Sequence, residues 1–233
     1  MSTVYSSDTC HYFHTNASWS GVRDASASNG VNGTSTNSSF ALYTTYTAGR
    51  GSALFYNRRV AHKFDLSGES GTVTAASFFW YCDLAQSTQG TDARIVHNTG
   101  FSTGGNSSDY NNLDFSEPHS NAVTLSTTLG YQEFALNSDA LTRINSAVGS
   151  GDYDLMVVEE DHDFQDTTPT LNQYFRVIAY FEPYSGTSRD PKLVLTFSGA
   201  SGYSHAVMGV SSGDIAKVKG VATADIEKVI GIN

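Results

Sequence analysis

The chain has 233 residues, with 13 Lys and Arg against 23 Asp and Glu and a formal net charge of −10. A chain this long buries about 70% of the surface of its unfolded form, so it needs no disulfide or metal staple, and it has room for one large all-β domain or two small ones. The acidic balance excludes a nucleic-acid partner, which would need a basic face, and no stretch is long and apolar enough to cross a membrane as a helix.

The opening MSTVYSSDTC has neither a basic start nor an apolar run, so no signal peptide is expected and synthesis is expected in the cytoplasm. His11 and His14 stand three apart with no helix to align them, which makes a poor metal pair. Asn16-Ala17-Ser18 fits a glycosylation pattern that has no role without secretion. A Gly/Asn/Ser/Thr stretch at 26–39 reads as a long surface connection.

From about residue 40 to 198 the pattern alternates with period 2. In RRVAHKFDL the set Val60, His62, Phe64, Leu66 turns toward a core, and Arg59, Ala61, Lys63, Asp65 lie on the opposite face. SFFWYCDL sets Phe78, Trp80, Cys82 against Phe79, Tyr81, Asp83, with Trp80 read as structural. ARIVHNTGF, NAVTLSTTLGYQEFAL, DYDLMVVEE, YFRVIAYFEPY and PKLVLTF follow, separated by turn signals. One helix interrupts them: Asn137 or Ser138 caps it, Leu141, Ile144 and Val148 form its stripe, and Gly149 ends it. The expected fold class is all-β, a jelly-roll β-sandwich of eight or so strands with one short helix. Cys10 and Cys82 read as two separate thiols, buried or free, with a disulfide as the alternative.

The expected organisation is a sandwich over 1–198, a linker at 199–208 and a tandem repeat over 209–233, in which GVSSGDIAKVK is followed by GVATADIEKVI. Each copy reads as a short helical turn. Ser212 or Thr223 caps it, Asp214 or Asp225 lies near the positive end, and a glycine stops it. Units this short are marginal alone. Val210, Ile215, Val218, Val221, Ile226, Val229 and Ile232 are therefore expected to be buried at an interface, in anchoring or in homo-oligomer formation.

VVEEDHDFQD at 157–166 is the densest acidic stretch, and Asp161, Asp163 and Asp166 are candidate ligands for Ca2+, set against a solvated loop. Glu159 and Glu160 are adjacent, point to opposite faces of a strand, and cannot form a glycosidase pair. No nucleophile elbow or phosphate loop is present, so no catalytic residues are assigned and an enzyme is not expected. Trp19 and Tyr81 are candidate glycan contacts, since flat rings stack on the apolar faces of sugars.

RRVAHKFDLSG, GTVTAASFFWY, YQEFALNSDALTRINS and GTSRDPKLVLTF resemble the successive motifs of DNRLRE-like β-sandwich domains, over about residues 5–198. The I-x-K-V-x-G-V-x-x-x-x-I run from 215 to 226 resembles the tails of structural proteins of tailed bacteriophages and marine viruses. The resemblance implies a non-enzymatic virion component: a capsid decoration protein, a head or tail fibre, or another tail-associated protein. Its partners would be other virion proteins and copies of itself. A glycan-binding module for host adhesion, with carbohydrate as the ligand, is the alternative.

Overall fold

The computed structural model describes residues 1–33, 37–48, 53–181 and 186–198, and two short pairs further on, 217–218 and 221–222. The main body is all-β. Its strands are β1 (Ser2–Tyr5), β2 (Asp8–Asn16), β3 (Gly30–Asn32), β4 (Asn37–Ala48), β5 (Ala53–Asp65), β6 (Val73–Ser87) and β7 (Asp92–Asn98). After them come β8 (Leu113–Pro118), β9 (Val123–Thr124), β10 (Gly130–Ala135), β11 (Asp152–Glu159), β12 (Tyr174–Tyr180) and β13 (Lys192–Phe197). A five-residue helix α1 (Trp19–Arg23) follows β2, and α2 (Ser138–Ala147) follows β10.

The strands form one antiparallel ladder in the order β1-β13-β6-β12-β4-β5-β11-β7-β8, with β10 on β6, β2 on β5 and β3, and β9 on β7. β5 and β6 are three steps apart in that order. On a flat sheet this would be about 14 Å. Yet the His62 and Phe78 rings are 5.1 Å apart and those of Phe64 and Phe78 are 5.9 Å apart. The ladder therefore curls into two facing layers. The main core lies between them, built from Val60, Phe64, Phe78, Trp80, Phe134 and Leu155 among others.

Both ends of the body are tied to the same layer. β1 pairs with β13, and β13 with β6. The Ser198 amide donates to the Thr72 carbonyl at 2.8 Å. α2 takes the expected form. Asn137 accepts from the amides of Asp139 and Ala140, Ile144 is buried with Leu141 and Val148 packed beside it, and Gly149 takes the left-handed φ of 74° that ends the helix. Cys10 and Cys82 are both buried and unpaired. They sit in different clusters, which accounts for their separation.

Alternation leaves open what the Arg59 face of β5 meets, and in the structure it is covered at Arg59 and Ala61. β2 pairs with β5, and a second cluster of Cys10, Tyr12, Ala61, Val96, Tyr110 and Met156 covers that side, so Arg59 and Ala61 are fully buried. Lys217 and Val218 were assigned to a helical turn but are extended. They form β14 (Lys217–Val218), which pairs antiparallel with β15 (Val221–Ala222), Val218 opposite Val221. β-branched residues favour that state. Val210, Ile215, Ile226, Val229 and Ile232 lie outside the described residues, as do the side chains of Val218 and Val221.

Candidate functional site

The acidic stretch forms a sharp corner. β11 ends at Glu159, and a single wide turn follows, a π-helix over Glu160–Phe164. Glu159 closes it: its carboxylate accepts from the amides of Asp161 at 2.8 Å, His162 at 2.8 Å and Asp163 at 3.0 Å. Burial pushes the Glu159 carboxyl up to about 8, against those three donors, which favour its charged form.

Arginines from distant strands take up most of the remaining charge. Glu160 is held by Arg94 of β7 through two hydrogen bonds of 2.6 and 2.8 Å. Asp163 is fully buried, and each of its oxygens accepts from Arg59, at 2.8 and 2.7 Å. Arg59 also donates to the carbonyls of Tyr110 (2.9 Å) and Arg23 (2.7 Å), and lies 4.3 Å over the Tyr110 ring. Burial opposes the charge on Arg59, but Asp163 and Tyr110 more than offset it and raise its pKa. Asp166, in the left-handed region at φ 52°, stands 3.5 Å from Arg23 Nε.

Asp161, Asp163 and Asp166 are therefore not assembled as a set of cation ligands. Asp163 neutralises Arg59, Asp166 faces Arg23, and Asp161 alone turns elsewhere. It lines a groove of about 650 Å3 between the turn before β7 and the residues leading to β12. Gln89, Asp92, His162, Gln165 and Gln173 line the same groove. Gly90 lets its walls close in. A Cβ there would lie 3.3 Å from Asp161 Oδ2 and 3.8 Å from the Asp92 carboxyl carbon. The groove thus offers two carboxylates, several amides and an imidazole, a lining suited to hydroxyl-rich ligands.

Trp19 does not reach this groove from the open side. It is 5% exposed, packed with Val22 and Phe55, its ring edge-on to His162 at 6.5 Å. The reading of Trp19 as a glycan contact is corrected accordingly: Ser18 caps α1 and turns the indole inward. Tyr81 lies on the outer face of β6, as the alternation requires, and is half-buried. The rings of Tyr131 and Tyr180 meet it edge-on at 5.0 and 5.5 Å. Arg189 lies 5.5 Å from its ring, and Lys192 lies 4.2 Å over Tyr131. The Tyr131 hydroxyl donates to the Asp190 carbonyl at 3.0 Å, and burial pushes it up to about 12.

Among the described residues, one group brings three metal-ligating side chains within 4.8 Å of one another: His97, Glu117 and His119. The sequence reading passed over it, although Glu117-Pro118-His119 has the i, i+2 spacing that puts two ligands on one face of an extended strand. Burial lowers His97 and brings His119 down to about 4, while the bond from Arg143 holds Glu117 down to about 2.

No protein-family model matches the chain, and no curated protein is significantly similar to it. The resemblance read from its motifs rests on those motifs alone.

Proposed function

We propose that the chain is a virion structural protein. In this reading a jelly-roll sandwich is displayed on the particle as a capsid decoration, head-fibre or tail-associated protein, and the C-terminal repeat attaches it to other virion proteins or to copies of itself. One observation carries the reading. β13, which pairs with both β1 and β6, ends at Phe197, and in sequence the tandem repeat lies wholly beyond it. Among the described residues the main ladder is paired without the repeat, which in this reading serves an interface. Burying its valines and isoleucines there, at about 25 cal/mol per Å2, must exceed the cost of ordering it.

The test compares the full chain with one ending after Gly199, once circular dichroism shows that the shorter chain is folded. Sedimentation velocity should find the full chain associated and the short one monomeric. Antibodies against residues 1–198 should label the surface of intact particles. Equal association of the two chains, or particles that carry no label, would falsify the proposal.

A second reading, glycan binding for host adhesion, is favoured by the groove between Asp92 and Asp161 and by the Tyr81 cluster. It predicts signal on a glycan array that Asp161→Asn removes if the groove is the site, or that Tyr81→Ala removes if the aromatic face is.

A further inference from the structure

His119 of Glu117-Pro118-His119 and His97 of β7 are brought together by strand register. Val96 sits opposite Pro118, which sets His97 beside the 117–119 stretch. The His119 amide donates to the Ile95 carbonyl at 2.8 Å and fixes that stretch against β7. The two imidazoles stack at 5.2 Å, tilted by 27°. Glu117 reaches both: its Oε1 is 3.3 Å from His119 Nε2, and its Oε2 is 3.6 Å from His97 Nδ1.

We propose that His97, Glu117 and His119 form a binding site for a divalent transition-metal ion, with Zn2+ the best match. Donors of two imidazoles and one carboxylate suit that ion. Ligands about 2.0–2.1 Å from a tetrahedral ion stand about 3.4 Å apart. The two Glu117 contacts, one through each carboxylate oxygen, lie on either side of that value, and one donor atom from each of the three side chains lies within 4.8 Å of the other two, so small side-chain rotations close the set around an ion. The His97 contact at 3.6 Å is too long for a hydrogen bond, and His97 Nδ1 is buried with no hydrogen-bond partner among the described residues.

The surroundings supply the outer support that metal-bound imidazoles need. His119 is fully buried, and its Nδ1 lies 2.8 Å from the hydroxyl of buried Tyr153. With the proton on Nδ1, the ring donates to that hydroxyl oxygen and turns the Nε2 lone pair toward Glu117. Three protein ligands leave a coordination position open. A groove of about 290 Å3, lined by His97, Arg143, Asp152 and Asp154, reaches His97 and has room for water there.

One cation already competes. Arg143 donates to both Glu117 oxygens, at 2.8 and 2.7 Å. Its side chain is 48% exposed on α2, so a bound dication displaces it by a rotation into solvent. The site therefore has two states, one in which Arg143 holds Glu117 and one in which the metal does.

The experiment titrates the full-length, untagged chain with Zn2+ by calorimetry, with Co2+ absorption as a second readout of coordination. The expected result is one equivalent per chain. His97→Asn and Glu117→Gln should each weaken it by about tenfold or more. Tyr153→Phe, which loses the support of His119, should also weaken it by about 10- to 100-fold and change the Co2+ spectrum. Arg143→Gln should tighten it several-fold. His97 is partly exposed, so His97→Asn is expected to fold, which circular dichroism checks. A wild-type chain that takes up no Zn2+ at millimolar concentration overturns the proposal. So does uptake that is undiminished in both His97→Asn and Glu117→Gln.

Discussion

Arg59–Asp163 and Arg143–Glu117 are both two-pronged arginine–carboxylate pairs, with hydrogen bonds of 2.7 to 2.8 Å. Their surroundings are opposite. The first pair has 0% exposure on either side chain, while the second has 48% on Arg143 and 22% on Glu117. Geometry alone would rank them equal. Burial separates them, because only the first pair leaves an uncompensated charge in a dry interior when it is broken. The buried pair also lies against the Tyr110 and Phe115 rings. It joins β5, the corner after β11, α1 and the 3-10 helix (Ser107–Asn111) through one guanidinium.

The largest effect should come from Arg59→Met. Loss of the guanidinium strands the Asp163 carboxylate, at a cost of about 3–5 kcal/mol in denaturant-unfolding stability. Adding Asp163→Leu should restore most of that loss, since an apolar pair of similar volume removes the buried charge altogether. Phe78→Ala on the opposite side of β5 should cost about the same, through cavity formation. No partner substitution at Asp163 should rescue it. If the double variant is no more stable than Arg59→Met alone, the two faces of β5 are held by the same kind of packing and the comparison fails.

These two faces also mark how far the sequence could be read. Val60, His62, Phe64 and Leu66 were legible because alternation is a local signal and one face of a strand must meet the core. α2 was legible because a cap residue, an apolar stripe and a glycine stop all lie within a dozen residues. Arg59 was not. Its partner is 104 residues away, and what covers that side of β5 is β2 and the segment around Tyr110, which alternation in β5 cannot encode. A hint existed in β11, where Leu155-Met156-Val157-Val158 breaks the alternation as a strand covered on both faces does. Asp161, Asp163 and Asp166 drew attention by density alone, and density says nothing about which arginines arrive from elsewhere. The groove beside Asp161 is assembled from turns far apart in sequence, and of its lining Asp161, His162 and Gln165 stood in the stretch that composition could single out.

A smaller effect tests the corner itself through pH. The folded protein keeps the Glu159 proton up to about 8, whereas the free side chain releases it near 4.5. Between those values the unfolded chain binds fewer protons than the folded one, so stability falls as pH rises through that window and the contribution is whole below it. By pH 7 the loss should be on the order of 1–3 kcal/mol. Glu159→Gln has no proton to release and keeps one acceptor for the corner amides. Relative to wild type, the variant should therefore gain stability steadily from pH 5 to pH 8. Unfolding midpoints of the two proteins at both pH values check this, and parallel pH profiles would show that the three amides already hold the carboxylate ionised.

The smallest effect should come from the exposed pair. Arg143→Ala removes two hydrogen bonds as short as those of Arg59, yet it should cost less than about 1 kcal/mol, because water solvates both the freed Glu117 and the vacated helix surface. Added salt should change the wild-type value little more than the variant's, since so little is at stake. The same substitution separates stability from binding at this site. If Arg143 served chiefly as a brace between α2 and β8, its loss would unsettle both elements and weaken any ion held at Glu117. If it competes for the carboxylate, the fold should barely respond while Zn2+ affinity rises. A thermal unfolding curve measured with and without Zn2+ distinguishes the two: competition predicts a larger metal-induced shift in Arg143→Ala than in wild type, and a brace predicts a smaller one.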